Sequence, residues 1–139
     1  MAPALIFVGR YLKEYFHHFD SILTDSLSLI KTSESTQFDQ DRCLFTVDFK
    51  SLFTNIPCDH AVELIKEIAV MYQYECQNTH VIIELLEVTL KYNVMDFMSE
   101  VFLQNFGVAV GTNIAPILAN LYLAMLEQTL KEQTKMVQK

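Results

Sequence analysis

The sequence predicts a helix-rich α+β fold, because most of its segments have helical periodicity and two short regions favour strands. Apolar residues recur every three or four positions, as on one face of a helix, in residues 5–30, 58–74, 79–92 and 114–133. The run at residues 44–47 is instead β-branched, aromatic or aliphatic, and residues 94–106 alternate with a period of two. With 139 residues, 51% of them hydrophobic, the chain is long enough for one domain with a real core.

The first helical segment is expected to divide near Asp20 and Ser21, because these residue types favour helix caps. The polar residues 32–41 predict an exposed loop, and too little chain precedes them to form a separate domain. His17 and His18 could suggest a metal site. No further His or Cys lies at ligand spacing, so packed or surface histidines are the favoured interpretation.

The composition restricts the classes of function. Ten Lys and Arg residues face 17 Asp and Glu residues, and the resulting net charge of −7 argues against a self-sufficient nucleic-acid binder. No apolar run is long enough to span a bilayer, and the apolar start lacks the basic residues of a signal peptide, so no membrane partner is expected. Cys43, Cys58 and Cys76 contain no CxxC pair, which indicates free thiols in a reducing, intracellular compartment, either nucleus or cytoplasm.

The stretch from residue 43 to residue 57 organises the rest of the chain. A predicted strand at residues 44–47 ends at Asp48, and Pro57 stops the extended segment and opens the next helix. A carboxylate at the tip of a buried strand is costly unless it is solvated, paired or bound to a cation. Taken alone, an aspartate that caps a turn is the more common explanation.

The second half of the chain predicts a helix capped by Thr79 and then a hairpin whose polar turn is Ser99-Glu100. Gly107 and Gly111 follow, and they are two of only three glycines in the chain. Their clustering predicts a backbone that bends and lets another group approach closely. A long helix comes next, and the polar residues 134–139 are expected to fray.

Two long motifs in this order resemble the palm of a reverse transcriptase, most closely that of Penelope-like retroelements. The first family motif, D-V-K-S-L-Y-T-N-I-P, is similar to D-F-K-S-L-F-T-N-I-P at residues 48–57. The second, Y-L-Q-x-x-G-T-A-M-G-T-x-x-A-P-x-x-A-N-L, is similar to F-L-Q-N-F-G-V-A-V-G-T-N-I-A-P-I-L-A-N-L at residues 102–121. Phe49 and Val110 depart from the usual aliphatic residue and Met, but both stay apolar. The resemblance covers nearly the whole chain and implies a single partial domain over residues 1–139, with partial fingers and a palm.

The resemblance also implies roles for individual residues. Asp48 and the carbonyl of Phe49 would hold Mg²⁺ in a two-metal site, which suits the preference of magnesium for hard oxygen ligands. Further residues would contact the deoxynucleoside triphosphate (dNTP) or the nucleic acid: the backbone N–H groups of Ser51 and Leu52, the ring of Phe53 under the sugar, Gln104, and the loop glycines Gly107 and Gly111. The partners of the complete enzyme would be an RNA template, a DNA primer and dNTP. Phe53 as a core residue and the glycines as simple turn residues remain alternatives.

The family's third motif, an aromatic-Ala-Asp-Asp hairpin, is not found, and no Asp-Asp pair occurs in the sequence. The basic finger strands, the thumb and the GIY-YIG-type nuclease of full elements are also not recognised. We therefore expect a fragment of an RNA-directed DNA polymerase that is inactive alone, with an incomplete metal site and weak or no nucleic-acid binding. The alternative is a retroelement-derived protein kept as a non-catalytic binding or scaffolding module. An unrelated helical interaction domain is a third, more remote possibility.

Overall fold

A computed structural model describes residues 2–37, 41, 43, 45–72 and 78–137. The described helices are α1 (Ala2–Lys13), a 3₁₀ turn (Glu14–His18), α2 (Ser26–Ser35), α3 (Leu52–Asn55), α4 (Cys58–Met71), α5 (Thr79–Lys91) and α6 (Ala115–Val137). The described strands are β1 (Val94–Phe97) and β2 (Glu100–Leu103), which form an antiparallel hairpin. The predicted mixture of helix and strand is therefore confirmed. No described helix is long and apolar enough to cross a membrane.

The core lies between α1, α4, α5 and α6. In α4 the buried side chains recur at helical spacing, and α5 contributes Ile82, Leu86 and Leu90 at intervals of four. From the other two helices, Leu12 and Leu118 are completely buried. Each buried side chain of this size contributes about 1.5–3 kcal/mol. The apolar periodicity therefore identified the helices that build the core.

The first helical segment is interrupted, as predicted, between the 3₁₀ turn and α2. Residues 19–25 lie outside the helices, and Asp25 caps α2 by accepting a 2.7 Å hydrogen bond from the N–H of Ser28. The expected loop at residues 32–41 is wrong for its first part, because α2 continues to Ser35. The hydroxyl of Thr32 donates to the carbonyl of Ser28 at 2.9 Å, which satisfies a polar side chain inside the helix.

The predicted central strand at residues 44–47 is not observed over the residues that the structure describes; Leu44 lies outside them. Phe45 and Val47 are 81% and 77% exposed, and residues 45–47 make no backbone hydrogen bond with another described residue. A strand requires a neighbour for its ladder of hydrogen bonds. In the described structure β1 and β2 pair only with each other, so this run has no such neighbour.

The predicted hairpin is present, with Val94 opposite Leu103 and Phe97 opposite Glu100. Its turn is Met98-Ser99 rather than Ser99-Glu100, since Glu100 already belongs to β2. Both turn residues have positive φ, 54° and 65°, which matches the right-handed twist of the two strands. All eight strand residues are exposed, so the alternating sequence does not produce a buried and a solvated face here.

Two helix ends also differ from the sequence-based expectation. Thr79 is the first residue of α5, after Asn78, rather than its cap, and its hydroxyl lies 2.8 Å from that of Tyr11 in α1. The contact joins two helices of the core. The tail was expected to fray from residue 134, but α6 extends to Val137.

Candidate functional site

The two motifs meet in the structure although about 50 residues separate them. The short helix α3 follows Asp48, and the glycine loop precedes α6. The N–H of Val108 donates a 2.8 Å hydrogen bond to the carbonyl of Phe53. The thiol of Cys58, at the start of α4, donates to the carbonyl of Gly107 at 3.2 Å. The glycine loop is therefore fixed against the residues that follow the first motif's aspartate.

Gly107 lies at the closest point of this contact. It has φ of +77°, and an added Cβ would lie 2.7 Å from the Cα of Thr54. No side chain fits at that distance, so only glycine satisfies both the backbone conformation and the space. The predicted close approach is confirmed at Gly107, where the approaching group is the chain's own backbone. Gly111 has φ of +95° but faces open space, with no atom near an added Cβ.

Gln104 connects the hairpin to the glycine loop. Its side-chain oxygen accepts a hydrogen bond from Asn93 at 2.8 Å, and its side-chain nitrogen donates to the carbonyls of Phe106 and Gly107 at 2.9 and 3.0 Å. These bonds hold the turn that precedes Gly107. The structure thus gives Gln104 a role in loop geometry, while its predicted contact with nucleic acid stays a prediction.

The first motif's predicted ligands are accessible. Asp48 is exposed in a segment without regular structure, and the side chain of Phe49 is 54% exposed. Ser51 has φ of 55°, and its carbonyl accepts hydrogen bonds of 3.0 Å from the side chains of Thr54 and Asn55. This left-handed residue turns the chain from the exposed segment into α3.

Leu52 and Phe53 are half-buried and pack against the core. The ring of Phe53 therefore makes core contacts while part of its surface remains accessible. This arrangement is compatible with both predicted roles, contact with a sugar and packing.

The described residues do not form a magnesium centre by themselves. Among them, no three His, Cys, Asp or Glu side chains come together in a way that could hold a metal ion. Asp48 and the Phe49 carbonyl would supply only part of the oxygen ligands that magnesium requires. Further carboxylates would have to come from outside the described residues.

Two side chains near these elements have shifted pKa values. Burial raises the pKa of the Cys58 thiol, and the neighbouring charge of Asp59 raises it further. The thiol consequently stays protonated and can donate to Gly107. The pKa of His18 is lowered by burial and then by the charge of His17. His18 stacks on the ring of Tyr72 with centroids 4.0 Å apart, so it is a packed histidine, as predicted.

Several residues of this junction were not predicted from the sequence: Asn93, Thr54, Cys58 and Val108. Only the glycine clustering signalled a close approach, and it did not identify Thr54 as the approaching residue. Of the other three, Val108 donates its N–H to the carbonyl of Phe53, Cys58 donates its thiol to the carbonyl of Gly107, and Asn93 donates its side-chain amide to Gln104. Such contacts depend on how distant segments meet, so local sequence carries no signal for them.

Comparison with known proteins gives no family assignment: no family model matches the sequence, and no curated protein or solved structure is significantly similar to it.

Proposed function

We propose that this chain is part of the palm of a reverse transcriptase similar to those of Penelope-like retroelements. It would contribute the first and second motifs to RNA-directed DNA polymerisation, together with segments that supply the other catalytic carboxylates. The observation that carries the proposal is the 2.8 Å hydrogen bond from Val108 to Phe53, which brings the two motifs together. If both motifs contribute to one nucleotide site, the glycine loop has to lie beside the residues that follow Asp48.

The accessible residues suit the roles that the resemblance implies. Asp48 is exposed, so its carboxylate is free to hold Mg²⁺ together with the Phe49 carbonyl once further carboxylates are supplied. Asp48 and the Phe49 carbonyl would hold part of the coordination of a divalent ion, which would supply Lewis-acid stabilisation of the phosphoryl group once the site is complete. Gly111 leaves open space beside its backbone, where template or dNTP could approach without meeting a side chain. Because the chain carries a net charge of −7, basic segments elsewhere would have to provide most of the phosphate contacts.

The direct test is a chimera that joins this chain to the fingers, third motif and thumb of an active relative. With magnesium and a primed RNA template, we expect primer extension, and we expect Asp48→Asn to reduce it to background. Asp96→Asn is the matched control, because Asp96 is also exposed but lies on β1. A chimera that extends primers equally well with Asp48→Asn would overturn the proposal. This chain without the added segments is expected to show no extension.

A second experiment in the same chimera examines Phe53. If its ring lies beneath the sugar, Phe53→Ala makes room for a 2′-hydroxyl and should raise ribonucleotide incorporation relative to deoxynucleotide. A steric effect of about 1.4 kcal/mol corresponds to a tenfold change in selectivity. Leu52→Ala is the matched control, since Leu52 is also half-buried in α3 and also packs on the core. Equal selectivity in the Phe53→Ala and parent chimeras would assign Phe53 to packing alone.

One observation favours the second candidate function, a retroelement-derived binding or scaffolding module. The hairpin exposes all of its strand side chains, including Phe97, Val101 and Phe102. An exposed apolar surface of this kind is typical of protein interaction sites. An inactive chimera, with the isolated chain a stable monomer, would support this module instead of the polymerase.

A further inference from the structure

A cleft lies between the start of α6 and the segment that runs from the end of α1 to Thr24. Its main cavity has a volume of about 820 Å³, and a second cavity of about 280 Å³ continues it along α1. The two share Lys13, Asn113 and Ile117 in their linings. The main cavity falls within the range of small-molecule sites, roughly 300–1,000 Å³. Four of its lining residues, Asn113, Pro116, Ile117 and Asn120, belong to the second motif, but none is among the residues predicted to hold metal or contact nucleotide.

The walls of the cleft are held by a close helix crossing. An added Cβ at Gly9 would lie 3.0 Å from the Cδ1 of Ile117, so α1 and α6 nearly touch there. Phe16 and Ile117 line the main cavity and give it apolar surfaces. Phe16 is half-buried, and Ile117 is buried. A flat apolar ring is the ligand shape that such surfaces accommodate.

The charges of the cleft are unusual for an acidic chain. Arg10, Lys13 and His17 follow one another at spacings of three and four, and all three contribute to its lining. Arg10 and Lys13 form no ion pair within the described part of the chain. Among the described residues, Asp20 is the one carboxylate that lines these two cavities, and Glu127 lines a third cavity of about 260 Å³ that shares Ile22, Leu23 and Asn120 with the main one. Neither carboxylate lines the cavity that contains both Arg10 and Lys13, so this end of the cleft favours an anionic group.

Two amide side chains complete the lining. Asn113 precedes α6 by two residues, and Asn120 lies in the second turn of that helix. Neither makes a side-chain hydrogen bond with another described residue. Apolar surfaces with a few converging polar groups are the usual composition of a small-molecule site.

From these features we infer that the cleft binds a small anionic molecule with a flat ring, the chemistry shared by nucleoside monophosphates and aromatic carboxylates. The ring lies against Phe16 and Ile117, and the anionic group lies between Arg10 and Lys13. The asparagine amides bond to polar atoms on the ring. The inference does not require polymerase activity, although part of the cleft is lined by residues of the second motif.

Ligand-observed NMR with the full chain tests the inference, using AMP, phenylacetate, adenosine and inorganic phosphate as probes. We expect saturable binding of AMP or phenylacetate, and at least tenfold weaker binding of adenosine and of phosphate alone. AMP and phenylacetate distinguish the two sources of the shared chemistry. Adenosine or phosphate binding as tightly as AMP would overturn the inference, as would no saturable binding by either ring-bearing anion. Tighter binding of a single-stranded oligonucleotide, increasing with its length, would assign the cleft to nucleic acid instead.

A variant and a crosslink locate the site. Arg10→Gln/Lys13→Gln should weaken binding of the ring-bearing anion about tenfold or more, because both cations that face the anionic group are removed. Lys131→Gln, an exposed lysine of α6 outside the cleft, is the control and should bind normally. If AMP binds, 8-azido-AMP should crosslink to peptides containing residues 10–24 or 113–120. Labelling elsewhere, or equal affinity of the double variant, would contradict the assignment.

Discussion

Gly107 is the single residue on which the junction between the two motifs depends most strongly. Two features each exclude a side chain at this position: its φ is +77°, and an added Cβ would lie 2.7 Å from the Cα of Thr54. Two other contacts rely on the same position, because the carbonyl of Gly107 accepts from both Cys58 and Gln104. A displaced Gly107 would therefore disturb α4 and the end of the hairpin as well as α3.

The first prediction compares the two loop glycines. Gly107→Ala should lower the free energy of unfolding by about 2–4 kcal/mol, because a left-handed conformation costs about 1–2 kcal/mol and the clash adds to it. Gly111→Ala should cost only about 1 kcal/mol, since it has positive φ but faces open space. Urea denaturation of both variants and the parent chain measures the difference. Equal losses at the two positions would show that Thr54 does not approach Gly107 as described.

The second prediction concerns the Cys58 thiol. Because burial raises its pKa, a smaller fraction is thiolate near pH 8.5, and thiolate is the reactive form. In a Cys43→Ser/Cys76→Ser variant, Cys58 should react with a disulfide reagent more slowly than N-acetylcysteine does. Its rate should keep rising with pH beyond the range where the free thiol has levelled off. A Cys58 rate that levels off at lower pH than that of N-acetylcysteine would contradict the burial.

At the scale of elements, the core helices and the hairpin were predicted from the sequence, but the strand predicted at residues 44–47 is absent from the described residues. The spacing of Ile82, Leu86 and Leu90 already describes the buried face of α5, because helix hydrogen bonds are local and apolar periodicity reports burial. The run at residues 44–47 has strand-forming residues, but a ladder needs a distant partner that local sequence cannot specify. The candidate site was predictable in part for the same reason. Glycine at position 107 is a local signal of a close approach, but its hydrogen bonds with Gln104 and Cys58 join separate segments, which local sequence cannot specify.

Helix α2 gives a prediction with a definite pH dependence. It has no buried residue, so its formation depends largely on the Asp25 cap. Hydrogen bonds from the backbone and side chain of Ser28 lower the pKa of Asp25. A lowered pKa in the folded state means that the carboxylate stabilises α2 above the ordinary value of 3.8, and that this stabilisation disappears as pH falls through the lowered pKa. Amide exchange at Ser28 and in the next turn should therefore lose protection in acid.

Two variants show whether the loss of amide protection in acid comes from the Asp25 cap or from another titrating group. Asp25→Asn keeps a capping oxygen without an ionisable group, so protection of α2 should persist at neutral pH and lose its acid dependence. Asp25→Ala should lose protection at all pH values. An unchanged acid profile in Asp25→Asn would assign the pH dependence to another group.

For the whole molecule, the exposed apolar surface is the feature that most strongly favours association with other chains. Phe45 and Val47 are 81% and 77% exposed, and their backbone groups have no partner among the described residues. Apolar side chains beside free backbone donors and acceptors are a template for pairing with another chain. Exposed apolar residues of α4, such as Val70 at 78%, are different, because their helix satisfies the backbone internally. The extended run should therefore contribute more to association than the helix surface does.

The last prediction follows from this contrast. The isolated chain should self-associate, and Phe45→Ser/Val47→Ser should shift it markedly toward monomer in sedimentation velocity. Val70→Ser/Met71→Ser is the matched control, since it removes two exposed apolar side chains from α4 and should leave the association nearly unchanged. If both double variants dissociate equally, total apolar area rather than free backbone causes the association. A parent chain that sediments as one monomeric species and unfolds cooperatively would contradict the prediction and favour the interaction module.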